Sequence, residues 1–183
     1  IDRLVGIVTD LDMITKVEAG AINLKKSDFD IVLLTNELVD ILKYQADERR
    51  ISITVQKIEM PVMVHADKKY IEQVLTNLIA NSIRYGNDGG QTRIGFVDMF
   101  EKMGIEVSDN GIGISKEHLP HIFGRFFRAD KSRSREQGGT GLGLAIVKHI
   151  INAHEEGVVV RSTLGKGSTF TFTLTKSSGH HSL

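Results

Sequence analysis

Hydrophobic positions recur along this chain with two different periods, three to four residues in some stretches and two in others, and the switches between them mark its elements. Ile1, Leu4, Val8 and Leu11 follow alternating three- and four-residue steps with charges between them, which predicts a helix over 1–19 stopped by Gly20. Two heptad-like repeats do not establish a coiled coil, and an amphipathic helix packed on its own domain fits the pattern as well. A short strand is expected at Ala21 to Leu24, then a helix from Asp30 to Glu48 with Ile31, Leu34, Leu38, Ile41 and Leu42 on one side. Alternation over Ile51 to Ile58 and Val62 to His65, around Pro61, predicts two strands joined by a turn. Asp67 is positioned to cap a helix running to Tyr85.

After the turn Gly86 to Gly90 come two predicted strands, Gln91 to Met99 and Gly104 to Ser108. The stretch Ser115 to Gln137 has little periodicity and carries Arg125, Arg128, Lys131, Arg133 and Arg135, the pattern of a mobile loop with a short helix near Lys116 to Ile122. A helix from Leu142 to His154 leads into Gly157 to Thr163 and Ser168 to Thr175, a predicted hairpin around Gly165-Lys-Gly167. This order implies an α+β two-layer sandwich in which helices cover one face of a mixed sheet. The polar tail Ser177 to Leu183 is expected to fray.

Composition narrows the function classes. At 183 residues the chain can bury one sizeable core, and its balance of hydrophobic and charged residues is that of a soluble globular domain. Basic and acidic residues are equal at 23 each, so no whole-molecule field attracts nucleic acid or an anionic membrane, and any phosphate recognition has to be local. The absence of cysteine excludes disulfides, thiolate metal sites and a cysteine nucleophile. Apolar runs of a few residues fall far short of the ~20 needed to span a bilayer. The chain begins with Ile, which suggests a piece cut from a longer protein.

Three glycine clusters are candidates for phosphate chemistry: Gly111-Ile-Gly113, Gly138 to Gly143, and Gly165-Lys-Gly167. None has P-loop or dinucleotide spacing, and a single G-x-G more often makes a turn. Gly138-Gly-Thr-Gly-Leu-Gly143 differs because it leads directly into an apolar helix, where free N–H groups reached through a loop without Cβ atoms suit a polyphosphate. On the Asp67 to Tyr85 helix, Gln73, Asn77, Asn81 and Arg84 share a face opposite the core stripe Ile71, Val74, Leu75, Leu78 and Ile79. Asparagine is a poor mid-helix residue, so two at i and i+4 ask for a reason beyond solubility. Their amide oxygens are hard donors of the kind Mg²⁺ accepts.

Taken in order, Asn77-Leu-Ile-Ala-Asn81-Ser-Ile-Arg-Tyr85, Asp109-Asn-Gly-Ile-Gly-Ile114, Ile122-Phe-Gly-Arg-Phe-Phe-Arg128, Gly139-Thr-Gly-Leu-Gly-Leu144 and Gly165-Lys-Gly-Ser168 resemble the N, G1, F, G2 and G3 boxes of the sensor histidine kinases of two-component systems. The resemblance is strong over residues 67–175. More weakly, Leu4 to Gly20 looks like the last helix of a dimerisation and histidine-phosphotransfer domain. It implies a domain division of 1–20 as that helix remnant, 21–176 as the catalytic domain and 177–183 as tail. The fold implied is the GHKL-type ATP-binding sandwich shared with gyrase, mismatch-repair and heat-shock-chaperone ATPases, with the nucleotide under a flexible lid.

Carried over by position, the resemblance makes ATP and Mg²⁺ the ligands. Asn81 becomes the metal ligand, with Asn77 near metal and phosphates, Arg84 near the phosphates and Tyr85 against the adenine. Asp109 would accept from the adenine exocyclic amine, with Gly111 and Gly113 admitting the base and Ser168 supporting the contact. Gly139, Thr140, Gly141, Leu142, Gly143 and Leu144 would form the phosphate-side loop. Arg128 is placed at the γ-phosphate, while Phe123, Phe126 and Phe127 would anchor the lid without touching ATP.

Position 77 separates this chain from the ATPases of the superfamily, in which a Glu one turn before the metal-binding Asn activates water; Asn77 cannot accept a proton at neutral pH. None of the seven histidines sits in the family's acceptor context, so the phosphorylated histidine is expected on an upstream domain. His154-Glu-Glu-Gly-Val fails H-E-x-x-H, which removes a zinc-protease reading. Departures from the family pattern are Gly124, Glu155-Glu156 and Thr175. Partners implied are the protein's own upstream phosphotransfer domain, a response-regulator receiver domain and a homodimeric mate through the N-terminal helix, with no nucleic acid. A soluble cytoplasmic fragment of an inner-membrane-anchored protein is the implied location. The competing readings are a nucleotide-binding regulatory module without transfer activity, and a related ATPase or anti-sigma-type serine kinase.

Overall fold

The computed structural model describes Leu11, Thr15 and residues 23–128 and 140–178. Strand β1 (Ser27–Asp30) precedes helix α1 (Ile31–Glu48), β2 (Ser52–Val55), β3 (Met63–Ala66) and helix α2 (Lys68–Tyr85). Then follow β4 (Gln91–Met99), β5 (Lys102–Asp109), a 3-10 turn at Leu119–His121, helix α3 (Gly143–Ala153), β6 (Val158–Thr163) and β7 (Gly167–Thr175). The main sheet has the order β2-β4-β5-β7-β6, and β1 and β3 form a separate antiparallel pair. Only β2–β4 is parallel within the main sheet, so the sheet is mixed, as its alternating strands and helices predict.

Burial follows the two periods. The helices contribute Leu34, Leu38 and Leu42 from α1, Val74, Leu75 and Leu78 from α2, and Ile146, Val147 and Ile150 from α3. They pack on the alternating inward residues Ile94 and Phe96 of β4, Ile105 and Val107 of β5, and Phe170, Phe172 and Leu174 of β7. Each of the first two helices begins where a carboxylate can cap it: Asp30 Oδ1 accepts from the Val32 amide at 2.9 Å, and Asp67 Oδ1 from the Tyr70 amide at 3.4 Å.

Four expectations need correction. The first strand lies at Ser27–Asp30, after the Ala21 to Leu24 stretch, because antiparallel pairing buries Phe29 opposite Val64. Ile41 is 70% exposed, since the buried arc of α1 runs from Leu34 through Leu38 and Leu42 to Ala46 and position 41 falls just outside it. The strands on either side of Pro61 do not pair with each other: β2 runs parallel to β4, while β3 joins β1. The tail begins with an anchored residue, because the Ser177 amide donates to the Met63 carbonyl at 2.9 Å and its hydroxyl to Asp28. Of the expected N-terminal helix, Leu11 and Thr15 are helical and the remainder lies outside the described residues, as do positions 129–137 of the loop.

The glycine-poor end of α3 is held by two buried groups. His154, 4% exposed, accepts at Nε2 from the Asp67 amide (3.1 Å), while Nδ1 lies 2.8 Å from the Ile150 carbonyl. A neutral imidazole protonated at Nδ1 satisfies both contacts; an imidazolium would keep the bond to Ile150 but set its Nε2–H against the Asp67 N–H. Glu156 accepts from Lys102 Nζ, Thr173 Oγ1 and Thr175 Oγ1, all at 2.7 Å, tying the end of α3 to β5 and β7. Burial raises its pKa, but these three donors outweigh it and the net shift is downward.

Burial lowers the pKa of His154 and Lys26 acts in the same direction, against the Ile150 hydrogen bond and the charges of Asp67 and Glu156. The native state therefore binds the proton less readily than the unfolded chain. Its stabilising contribution is present above the ordinary histidine pKa of about 6.5 and is lost as pH falls below it, at no more than about 1.4 kcal/mol per pH unit. Urea titrations of wild type and His154→Gln from pH 7.5 to 5 should show this slope in wild type and a shallower one in the variant.

Candidate functional site

A cavity of about 400 Å³ opens where the C-terminal end of α2 meets the end of β5 and the start of β7. That volume lies in the range of small-molecule sites. Thr92, fully buried on β4, donates its hydroxyl to Ser82 on α2 at 2.9 Å and is the register partner of Asp109 on β5. Asp109 in turn faces Ser168 on β7. One strand position therefore fixes the helix, the carboxylate and the serine relative to each other.

Of the residues singled out from the sequence, the fold brings Asn81, Arg84, Tyr85, Asp109, Gly113, Arg128, Leu144 and Ser168 into the cavity wall. Ile112, Ile114, Ile122 and Phe170 complete its apolar part. Gly111 stands just behind. Its amide donates to Asp109 Oδ1 at 2.8 Å, and a Cβ there would overlap the Tyr85 carbonyl oxygen, so only glycine lets this loop lie against the helix end. Gly113 has φ +67°, a left-handed conformation, and its amide neighbour Ile114 donates to Ser162 Oγ at 2.8 Å. Ser162 bonds Ser168 at 2.9 Å and the Gly167 carbonyl at 2.8 Å, locking Ser168 beside Asp109.

Other candidates sit elsewhere. Asn77 is one turn up α2, with its side-chain oxygen 2.9 Å from the place a Cβ on Gly143 would take, so it marks the N-terminus of α3. Thr140 accepts from the Leu142 amide at 3.2 Å, and Gly141 packs on the backbone of Phe126. Leu142 is a core residue with no exposed surface. Gly139 lies outside the described residues. The phenylalanines divide: Phe123 packs edge-on against Phe170 with ring centroids 6.4 Å apart, and Phe126 is exposed. Phe127 lines the cavity and also packs against His118 and His121 of its own segment, where the Gly124 and Phe127 amides close the turn.

Burial pushes the Asp109 carboxyl above the usual carboxylate range, although amides of Gly111 and Ser168 stabilise its ionised form. Two charged wall residues lie outside the motif boxes and were not singled out in the sequence. Asp88 lines the cavity, and Arg49, from the end of α1, donates to it through Nη2 (2.7 Å) and Nε (3.0 Å). No local periodicity marks Arg49; its partners are more than thirty residues away. Among the described residues there is no cluster of three or more histidine, aspartate or glutamate side chains that could hold a metal.

This two-layer fold, with a largely apolar pocket beside a half-buried carboxylate, has the form of a nucleotide-binding domain. Residues 66–178 match the family described as histidine kinase-, DNA gyrase B-, and HSP90-like ATPase, and the chain belongs to that family. The sensor histidine kinase WalK of Bacillus subtilis is 34% identical over 94% of this chain and 28% of its own length. The sensor-like histidine kinase SenX3 of Mycolicibacterium smegmatis is 37% identical over 94% of this chain and 44% of its own. The chain thus spans less than half of these relatives. Among solved structures, full-length ShkA in complex with AMPPNP has a TM-score of 0.86 at 25% identity over 97% of this chain and 37% of its own. The catalytic domain of histidine kinase ThkA has a TM-score of 0.73 at 27% identity, and 97% of it is covered. The α+β sandwich implied by the motifs is the fold of histidine kinase catalytic domains.

Gly111→Ala should force α2 and the β5 loop apart. We expect a loss of about 1–3 kcal/mol, the usual range for overpacking, together with weakened ligand binding in the cavity, measured by denaturant titration and calorimetry on the same preparation.

Proposed function

We propose that this chain is the catalytic part of a sensor histidine kinase, which binds Mg-ATP and transfers its γ-phosphoryl group to a histidine on an upstream domain. The observation that carries the reading is the joint placement of Asp109, Ser168, Tyr85, Asn81 and Arg128 around one cavity, from four separated segments of sequence. Residues 1–20 are taken as the end of the phosphotransfer domain, and a response-regulator receiver domain as the next acceptor.

In this reading the adenine enters between the apolar side chains of Ile112, Ile114, Leu144 and Phe170, with Asp109 accepting from its exocyclic amine. A carboxylate rejects guanine at that position, whose carbonyl would face a second acceptor. Tyr85 closes one side of the base. Asn81 and Asn77 offer amide oxygens for Mg²⁺, which neutralises charge on the phosphates when bound. Arg84 and Arg128 add fixed positive charge, and the N-terminus of α3 beside Asn77 adds free backbone donors. With asparagine at position 77 that place holds an amide instead of a carboxylate that could activate water, and the γ-phosphoryl group is kept for the incoming imidazole.

Adenosine affinity should fall as the solution is acidified through the raised pKa of Asp109, since protonation removes the charged acceptor. Asp109→Asn should remove this pH dependence, cost about 1–3 kcal/mol of binding, and narrow the preference for ATP over GTP. Calorimetry with adenosine between pH 7.5 and 4.5 measures both. If the variant keeps wild-type affinity and selectivity, the base reader is another group.

The phosphotransfer reading is tested with radiolabelled ATP. The chain alone should neither label itself nor release phosphate over many turnovers. With the acceptor domain of its own longer protein it should give acid-labile label on that domain, abolished by Asn81→Ala. Acid-stable label on the chain itself would favour a serine kinase, and steady phosphate release would favour an ATPase.

A further inference from the structure

The last turn of α2 has an accounting problem. The helix ends at Tyr85, and Gly86 continues in an extended conformation (φ −65°, ψ 157°), so no left-handed cap returns N–H groups to its final carbonyls. Donors come from outside the helix. Arg49 Nη1 donates to the carbonyls of Ile83 and Arg84, both at 2.6 Å, and Nη2 to that of Gly86 at 2.9 Å. The Ile112 amide donates to the Tyr85 carbonyl at 3.1 Å. The remaining guanidinium bonds go to Asp88, and the Arg49 carbonyl accepts from the Gly89 amide at 3.0 Å. All five N–H groups of the guanidinium are thereby used, each on the segment 83–88.

We propose that Arg49 is a positioning residue for base recognition: it holds the end of α2 so that Tyr85 and the Asp109–Gly113 loop keep the spacing the purine requires. The inference rests on the ATP-site reading above. Three features make the arginine specific to this task. Its planar fork matches three carbonyls and a carboxylate at once, which an ammonium cannot do. Its charge lies at the negative end of the helix dipole. Among the described residues the other bond to the carbonyls of this turn comes from Ile112 in the base-binding loop, so without Arg49 the spacing of helix end and loop rests on that single contact. On the phosphate side of the site, Asn77 and the start of α3 lie two turns away along α2, and Arg84 meets Arg49 only through its backbone carbonyl, which leaves its guanidinium to the phosphates.

The test compares two probes on the 183-residue chain, adenosine and Mg-tripolyphosphate, in wild type, Arg49→Met, Arg49→Lys and Asp88→Asn. Titrations are run well below each variant's melting temperature. Arg49→Met should weaken adenosine at least tenfold and reduce the ATP-to-GTP affinity ratio to a similar degree, while tripolyphosphate affinity changes less than twofold. Arg49→Lys should fall between, and Asp88→Asn, which leaves the carbonyl contacts in place, should lose only a fewfold. Should Arg49→Met fail to fold, the Lys and Asn variants carry the same comparison. Unchanged adenosine affinity with a lowered melting temperature, or equal losses for both probes, would overturn the positioning role and leave Arg49 a purely stabilising residue. If wild type binds neither probe, the ATP-site reading falls, and this proposal with it.

Discussion

The carbonyl groups at the end of α2 cannot be left without donors, and the route by which they are satisfied organises the molecule. Three separated segments meet there: Arg49 from the end of α1, Ile112 from the loop after β5, and the turn 86–90 that starts β4. A buried carbonyl without a partner costs about 1–3 kcal/mol, so each of these contacts holds its segment in place. Arg49, Ile112 and residues 86–88 of these segments also line the cavity. Stabilising the helix end and shaping the pocket are therefore one structural requirement.

The inner and outer sides of α2 divide the work. Ile71, Val74, Leu75 and Leu78 supply apolar burial, whereas Asn81 and Arg84 line the cavity and Asn77 lies beside the start of α3. Ser82 stands between these two environments. Its hydroxyl donates to the Ile79 carbonyl at 2.7 Å and accepts from Thr92, so a buried polar pair is fully used while registering the helix on β4. The two positions next to Asp109 in the ladder, Thr92 and Ser168, are both buried polar residues. Burial raises the pKa of the carboxyl, against the amides of Gly111 and Ser168, which favour its ionised form.

The departures from the family pattern have physical content. Glu155 adopts φ 62°, a left-handed conformation that suits glycine, and the strain of roughly 1–2 kcal/mol is set against the buried contacts of its neighbour Glu156 with Lys102, Thr173 and Thr175. Gly124 lies where a Cβ would press on the His121 carbonyl at 2.9 Å, and its absence of a side chain permits the turn that carries Phe127 into the cavity.

Much of the architecture was legible in the chain itself. The periods of 3.6 and 2 located α1, α2, α3 and the hairpins β4–β5 and β6–β7, because these elements bury one face and are closed by local turns. Asp67 announced the start of α2, and five motif boxes identified the family and eight of the cavity residues. Three things were decided only in three dimensions. The strand β1 was misplaced because its single buried residue, Phe29, offers no alternation to read; β2 was separated from β3 because it pairs in parallel with a strand nearly forty residues on. Arg49 was missed for the same reason. Periodicity reports which side of an element is buried, but the partner of a strand edge or of an orphan carbonyl is chosen by hydrogen-bond geometry between distant segments, and that choice exists only once the chain has folded.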